Sequence, residues 1–237
     1  MSHVLVPVAV LDGESPSGGL IDLLGSVDVT VLGYHELPEQ TPADQARAQF
    51  EERAVSALED VREEFQAAGG EAYYRLVFTH NKRQSIERVA TEIDVAAYTI
   101  SGATGSVDRL LVPLSGSVGV DRIVGFVTDL VGGREIGVTL LLATDADGAN
   151  QTLDSAADRL AAAGIDVSTQ TSTEKPFDAL IEAVPGHDAV VMGQQAPSLS
   201  SLLFGDEQER VAAASVGPVV VVRNTVAGDT GEADGDS

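Results

Sequence analysis

Short apolar segments alternate with helical patterns along most of this chain, and the whole alternation starts again near its middle. The segment VLVPV at residues 4–8 is repeated as LLVPL at residues 110–114. Each segment begins a strand pattern, and a helix pattern follows it. Strands that alternate with helices form parallel βαβ units, because a parallel connection needs a crossover. The repeat therefore predicts two α/β units, each with helices on both faces of a parallel sheet.

The predicted elements divide unevenly between the two units. The first unit has strand patterns at residues 4–10, 27–32, 73–79 and 96–101, and the second has them at 110–114, 138–143, 167–171, 189–192 and 219–222. Helix patterns lie between them at residues 43–68, 120–131, 152–163, 177–184 and 207–215. Nothing after residue 101 corresponds to the last helix and strand of the second unit. We therefore predict a truncated first domain at residues 1–105, a complete domain at 106–224 and a disordered acidic tail at 225–237.

The chain is unusually acidic and contains little lysine. It has 37 Asp and Glu residues against 14 Lys and Arg, which gives a formal net charge of -23, and its only lysines are Lys82 and Lys175. The acidic residues are spread along the chain, as is typical of proteins from salt-loving organisms, where a carboxylate-rich surface holds water while salt screens its charge. The chain lacks the cationic clusters on which nucleic-acid affinity depends, which argues against nucleic acid and anionic membranes as partners.

Other features of the composition narrow the classes of function. The chain has no cysteine, so disulfides, thiolate catalysis and cysteine-ligated zinc are excluded. MSHVLVPVAV at the start does not resemble a signal peptide, and no apolar run is long enough to cross a membrane, which predicts a cytoplasmic protein without membrane insertion. No metal site is predicted, because the four histidines are dispersed and expected at solvated or edge positions: His3, His35, His80 and His187. No residue pattern predicts catalysis.

Four segments of the sequence stand out: the strand openings VPV and VPL, the pair Met192 and Gly193, and the closing stretch GDEQERVAAASVGPVVVVR at residues 205–223. Together these segments resemble the universal stress protein family. The resemblance covers nearly the whole chain and implies two flavodoxin-like (HUP-type) doubly wound parallel-sheet domains, the first truncated. In members that bind ATP or AMP, it implies a site at the carboxyl ends of the strands. The implied motif is Gly, two residues, Gly, nine residues, then Gly with Ser or Thr.

The second unit keeps only part of this motif. Gly193 matches the first glycine, but Ala196 stands at the second, and only eight residues separate Ala196 from Gly205. Asp206 replaces the Ser or Thr that should follow. A helix N-terminus attracts anions through its free N–H groups, and a carboxylate at that place satisfies those donors itself. We therefore expect Asp206 to compete with phosphate and the nucleotide site to be degenerate.

The family also implies an Asp near the end of the first strand, on the adenine side of the site. Ser115 occupies this place in the second unit and Ala9 occupies it in the first, with Asp12 displaced by three residues. The backbone around Pro113 and Ser115 is therefore the part of the adenine side that could still contact a nucleotide.

The first unit retains two glycines at the implied spacing, Gly102 and Gly105. The helix that should follow them is missing from the sequence pattern, so a phosphate there would meet no helix dipole. We interpret these glycines as a linker turn, with nucleotide contact as the alternative.

The resemblance implies a non-catalytic regulatory or scaffolding protein of the stress response, with no cofactor beyond a weakly bound ATP or AMP. One alternative is an ATP- or AMP-binding sensor with weak or no ATPase activity, and another is a soluble regulatory partner of a membrane transporter. The last strand pairs two domains in this family, so residues 218–223 are expected to form a homodimer here. The identity of any other protein partner is not predicted.

Overall fold

The computed structural model describes residues 1–100, 102–114, 119–144, 149–194, 196 and 217–224. Several positions singled out from the sequence lie outside these residues: Ser115, Gly205, Asp206, the helix predicted at residues 207–215 and the tail at 225–237.

The described elements alternate between strands and helices in both halves. In the first half they are β1 (His3–Val8), α1 (Gly18–Leu24), β2 (Asp28–Glu36), α2 (Ala43–Ala67), β3 (Ala72–Thr79), α3 (Lys82–Glu92) and β4 (Ala97–Ile100). In the second half they are β5 (Arg109–Pro113), α4 (Val120–Val131), β6 (Gly137–Ala143), α5 (Ala149–Ala162), β7 (Val167–Ser172), α6 (Pro176–Ala183), β8 (Ala189–Gly193) and β9 (Val219–Val222). The predicted α/β class is confirmed.

The nine described strands belong to one sheet, in the order β3-β2-β1-β4-β9-β8-β5-β6-β7. Every neighbouring pair is parallel except β4 and β9, which are antiparallel. The strands of the second half therefore run opposite to those of the first. The carboxyl ends of the two halves lie at opposite ends of the sheet as a result, and each half has its own candidate ligand-binding end.

Strand β9 has both of its edges hydrogen-bonded within the chain. Val190 of β8 pairs with Val219 in parallel, while Ala97 of β4 pairs with Val222 in the antiparallel sense. The prediction that residues 218–223 form a homodimer is wrong for this reason. The first half has no fifth strand among the described residues that could cover the outer edge of β4. Strand β9 of the same chain pairs with that edge instead.

One continuous hydrophobic core joins the two halves on one face of the sheet. Helices α1, α2, α4 and α5 cover this face, and their buried side chains form a single cluster with β1 and β9. Helix α4 shows how a helix contributes to this core. These apolar residues recur at helical spacing and are buried on its inner side: Ile123, Val124, Val127, Leu130 and Val131. Burying each such side chain contributes about 1.5 to 3 kcal/mol. Helices α3 and α6 pack on the opposite face over two smaller clusters.

Two arginines of the second half bind helix ends in the first half. Arg134 donates to the carbonyl oxygens of Asp22 and Leu23 at the end of α1, at 2.8 Å for Leu23, and also to Leu130 of α4. Arg223 follows β9 and binds the end of α3. The last carbonyl groups of a helix have no partner within the helix, so these side chains satisfy them.

Candidate functional site

The carboxyl end of the second half brings together two of the residues predicted from the sequence. Pro113 ends β5 and Gly193 ends β8, and these strands are parallel neighbours in the sheet. Open α/β sheets bind ligands outside the carboxyl ends of their strands. Pro113 and Gly193 thus lie where a ligand of this fold is expected.

The turn after Gly193 uses its own backbone groups. The N–H of Ala196 donates to the carbonyl oxygen of Gly193 at 2.9 Å, and the N–H of Gln194 donates to Val222 at 2.8 Å. The Ala196 side chain is buried and belongs to an apolar cluster that includes Met192. These two N–H groups are already satisfied and are not free to bind a phosphate. A methyl group in the core thus stands where the motif has a glycine.

The glycine pair of the first half is packed against other parts of the backbone. A Cβ atom on Gly102 would lie 2.6 Å from the carbonyl carbon of Gly217 and 2.7 Å from the nitrogen of Pro218, where the chain enters β9. A Cβ atom on Gly19 would lie 2.5 Å from the carbonyl oxygen of Gly105. Gly102 therefore allows the close approach of β9, and Gly105 belongs to a segment that covers the start of α1.

The Ser17 side chain completes this contact. Its hydroxyl oxygen accepts a hydrogen bond from the N–H of Thr104 at 3.3 Å, at the start of α1. Residues 102–108 lead from β4 to β5, so these contacts support the interpretation of Gly102 and Gly105 as a linker turn.

The end of β1 is occupied by a carboxylate that sequence reasoning missed. Glu14 accepts a hydrogen bond from the N–H of Ala9 through Oε2, at 2.8 Å. The intervening turn contains Asp12, which is exposed, and Gly13, whose φ of 76° is in the left-handed region that favours glycine. The Asp-Gly pair at residues 12 and 13 was the available signal that the chain folds back here. A negative charge thus lies at the strand end where the family places adenine.

His3 and His187 are less solvated than predicted, whereas His80 is exposed as expected. His187 is half-buried: its Nε2 lies 2.7 Å from the Thr139 hydroxyl and its Nδ1 lies 2.8 Å from the carbonyl oxygen of Ala183. His3 is also half-buried, with Nε2 at 2.9 Å from the Thr30 hydroxyl. The edge or solvated placement is therefore wrong for these two residues. The described residues contain no group of His, Asp and Glu side chains arranged to hold a metal.

Among the described residues, no helix combines the length and the apolar character needed to cross a membrane. The strand order and the helices on both faces of the sheet define a doubly wound α/β fold.

Comparison with known proteins refines this class. No protein-family model matches the sequence, and no curated protein matches it. A universal stress protein from Archaeoglobus fulgidus DSM 4304 superposes with a TM-score of 0.62 at 14% identity, over 94% of this chain and 96% of that chain. The chain thus has the fold of the universal stress proteins, as the strand openings and the closing stretch predicted.

Two further solved structures are similar. The cytoplasmic domain of a prokaryotic cation chloride cotransporter gives a TM-score of 0.51 at 12% identity, over 93% of this chain and 94% of that chain. A universal stress protein in complex with cAMP gives a TM-score of 0.39 at 24% identity, over 49% of this chain and 96% of that chain.

Proposed function

We propose that this protein is a non-catalytic regulatory or scaffolding protein of the universal stress protein type, with a degenerate nucleotide site. The observation that carries the proposal is that backbone N–H groups at the strand ends are already hydrogen-bonded to acceptors of the same chain. Glu14 binds the N–H of Ala9 in the first half, and Gly193 binds the N–H of Ala196 in the second. Backbone N–H groups are the donors that cradle phosphate in folds of this kind, so a nucleotide would have to displace these bonds.

Charge supports the same proposal. A net charge of -23 repels nucleotides, which are themselves anions, and Glu14 adds a carboxylate at one of the two candidate sites. We propose a protein partner rather than a small anionic ligand, and a cytoplasm of high salt as the setting in which the acidic surface functions.

The first alternative is an ATP- or AMP-binding sensor with weak or no ATPase activity. The placement of Pro113 and Gly193 at the ends of adjacent parallel strands favours it. From the sequence motif, Gly205 and Ser115 are the further candidates for such a site, and both lie outside the described residues. The second alternative is a regulatory partner of a membrane transporter, which the likeness to a cotransporter's cytoplasmic domain favours.

Calorimetric titration with ATP and magnesium, and separately with AMP, in molar potassium chloride tests the proposal. We expect no binding tighter than about 100 µM, which corresponds to about -5.5 kcal/mol. The double variant Ala196→Gly with Asp206→Ser restores two positions of the motif and is expected to bind more tightly than the natural chain. Tight binding by the natural chain would instead support the sensor, and release of phosphate from ATP would overturn the non-catalytic assignment. Sedimentation with transporter-containing membranes would favour the transporter partner.

A further inference from the structure

The two outer strands of the sheet differ in character. Strand β7 has the sequence VSTQTS, and its four central residues are exposed. Strand β3 has the sequence AYYRLVFT, carries a single charged side chain, Arg75, and exposes 54% of Tyr73. Proteins commonly protect sheet edges with short, polar or charged strands, because an edge offers unpaired backbone groups to other chains. By that measure β7 is protected and the longer, more apolar β3 is not.

The hydrogen bonds to β2 show which backbone groups of β3 face outward. The carbonyl oxygen of Glu71 accepts from Val29 of β2 at 2.8 Å, and that of Thr79 accepts from Leu37, the residue after β2, at 2.7 Å. Successive residues of a strand direct their N–H and C=O groups to opposite sides, so the odd residues 71 to 79 bind β2. The N–H and C=O groups of residues 72, 74, 76 and 78 therefore lie along the outer edge, where no other described strand pairs with them.

We propose that this edge pairs with the same edge of a second copy of the chain, in the antiparallel sense, about a twofold axis at Leu76. Even residues must face even residues in such a pair, so the two registers with the longest overlap are centred on Arg75 and on Leu76. Centring on Arg75 places two arginines directly opposite each other, which is unfavourable. Centring on Leu76 places Leu76 opposite itself and Tyr74 opposite Phe78, and forms about six backbone hydrogen bonds.

Charge favours the same contact. Residues 72–86 contain no Asp or Glu, although the chain has 37 acidic residues and a net charge of -23, so this segment itself adds no repulsion between carboxylates of two copies. Arg75 is itself paired with Glu92 at 3.1 Å. The antiparallel arrangement also brings Glu71, before one β3, towards Lys82 and Arg83, after the other. The surface is thus self-complementary in pattern and in charge.

Light scattering of the purified chain in molar potassium chloride tests the interface. We expect twice the chain mass of 24.5 kDa. Leu76→Pro removes an outward N–H without removing a bond to β2, and proline is tolerated on edge strands, so we expect this variant to be monomeric. Thr169→Pro is the matched control. The carbonyl oxygens of Asp166 and Ser172 accept from Val138 of β6 and from Thr144 just after it, so the N–H of Thr169 faces outward on β7. The Thr169→Pro variant is expected to remain dimeric.

Further variants keep the test decisive. If circular dichroism shows that Leu76→Pro does not fold, Leu76→Lys places a charge on the same edge and should also halve the mass. The chain has no cysteine, so Arg75→Cys and Val77→Cys, made as two single variants, report the register. Position 75 faces position 77 across the proposed axis, so oxidation of a mixture of the two variants is expected to give a covalent dimer of one with the other, whereas Arg75→Cys alone should not cross-link. A monomeric natural chain, or a folded Leu76→Pro dimer, would overturn the interface, and cross-linking of Arg75→Cys alone, or a mixture that does not cross-link, would overturn the register.

Discussion

The two halves of the chain repeat the same order of strands and helices, yet only the second half ends with a strand of its own. Strand β9 follows β8 in the second half, whereas the described first half stops at β4. The free edge of β4 is filled by β9, and this is the only antiparallel contact in the described sheet. Because the described first half has no strand beyond β4, β9 of the second half pairs with β4 and joins the two α/β units into one sheet. The first half therefore depends on the second half for the strand that covers the edge of β4.

The junction of β4 with β9 offers the largest expected effect. Gly102→Ala places a Cβ atom 2.6 to 2.7 Å from backbone atoms of Gly217 and Pro218, which cannot move without shifting β9. We expect the free energy of unfolding to fall by about 3 kcal/mol, measured by urea denaturation.

Gly105→Ala is the matched control for that change. A Cβ atom there has no neighbour within 4 Å, so a change below about 0.5 kcal/mol is expected. Equal losses from the two substitutions would contradict the packing role assigned to Gly102.

Arg223 offers the next largest effect, since it connects the strand that the halves share to a helix of the first half. Its guanidinium donates to the carbonyl oxygens of Ala90 and Val95 at 2.6 and 3.2 Å and to the Thr91 hydroxyl at 2.9 Å. Arg223→Ala leaves these acceptors at the end of α3 without their charged donor, and we expect a loss of about 2 kcal/mol in urea denaturation.

Arg88→Ala serves as the control for Arg223→Ala, because Arg88 lies on α3 itself and forms an exposed ion pair there with Glu92. Such pairs contribute about 0.5 kcal/mol or less. Hydrogen exchange should show faster opening of the end of α3 in Arg223→Ala alone. If the free energy of unfolding falls equally in the two variants, the hydrogen bonds of Arg223 do not stabilise the contact between the halves.

Most of the fold could be predicted because its signals are local. The helix predicted at residues 43–68 is Ala43–Ala67, and the last strand was placed at its observed bounds, Val219–Val222. Apolar periodicity and helix-ending glycines act within a few residues, so one sequence reveals them. The partner of β9 is not a local property. The sequence pattern predicted an unpaired edge on β9 and an unpaired edge in the first half, but it did not predict that these two edges pair with each other.

The candidate site could be predicted less well, for the same reason. Spacing identified Gly102 and Gly105, but their contacts are with Gly217 and Gly19, which are far away in sequence. Glu14 was missed because its bond to Ala9 depends on the path of a turn rather than on a motif. Histidines were misjudged similarly, since the Thr139 hydroxyl that binds His187 comes from another strand.

Buried threonines sharpen the comparison of the halves further. Thr30 and Thr139 occupy corresponding positions on β2 and β6, opposite Leu5 and Leu111 of the repeated first strands. Each hydroxyl lies beside a histidine, but His3 precedes the first half's repeated segment while His187 precedes β8. The same buried position is therefore satisfied by different parts of the chain.

The pKa of His3 gives the smallest expected effect, and it is specific to the first half, because the exposed Arg109 occupies the corresponding position in the second. Burial lowers the pKa of His3 below its ordinary value of 6.5, and the negative charge of Asp28 partly opposes this. The native state then binds fewer protons than the unfolded chain, so His3 makes stability fall as the pH drops below about 6.5 and leaves it unchanged at higher pH. The ring is only half-buried, and solvent screening keeps this loss below about 0.5 kcal/mol.

Titration of the His3 ring followed by NMR resolves so small an effect directly. The midpoint should lie below 6.5 in the natural chain, and Asp28→Asn should lower it further, because the opposing charge is removed. Thr30→Val tests whether the neighbouring hydroxyl contributes, since it removes the hydrogen-bond partner of Nε2 and leaves Asp28 in place. A midpoint at or above 6.5 would show that burial does not control the His3 pKa, and the pH dependence assigned to the first half would then be wrong.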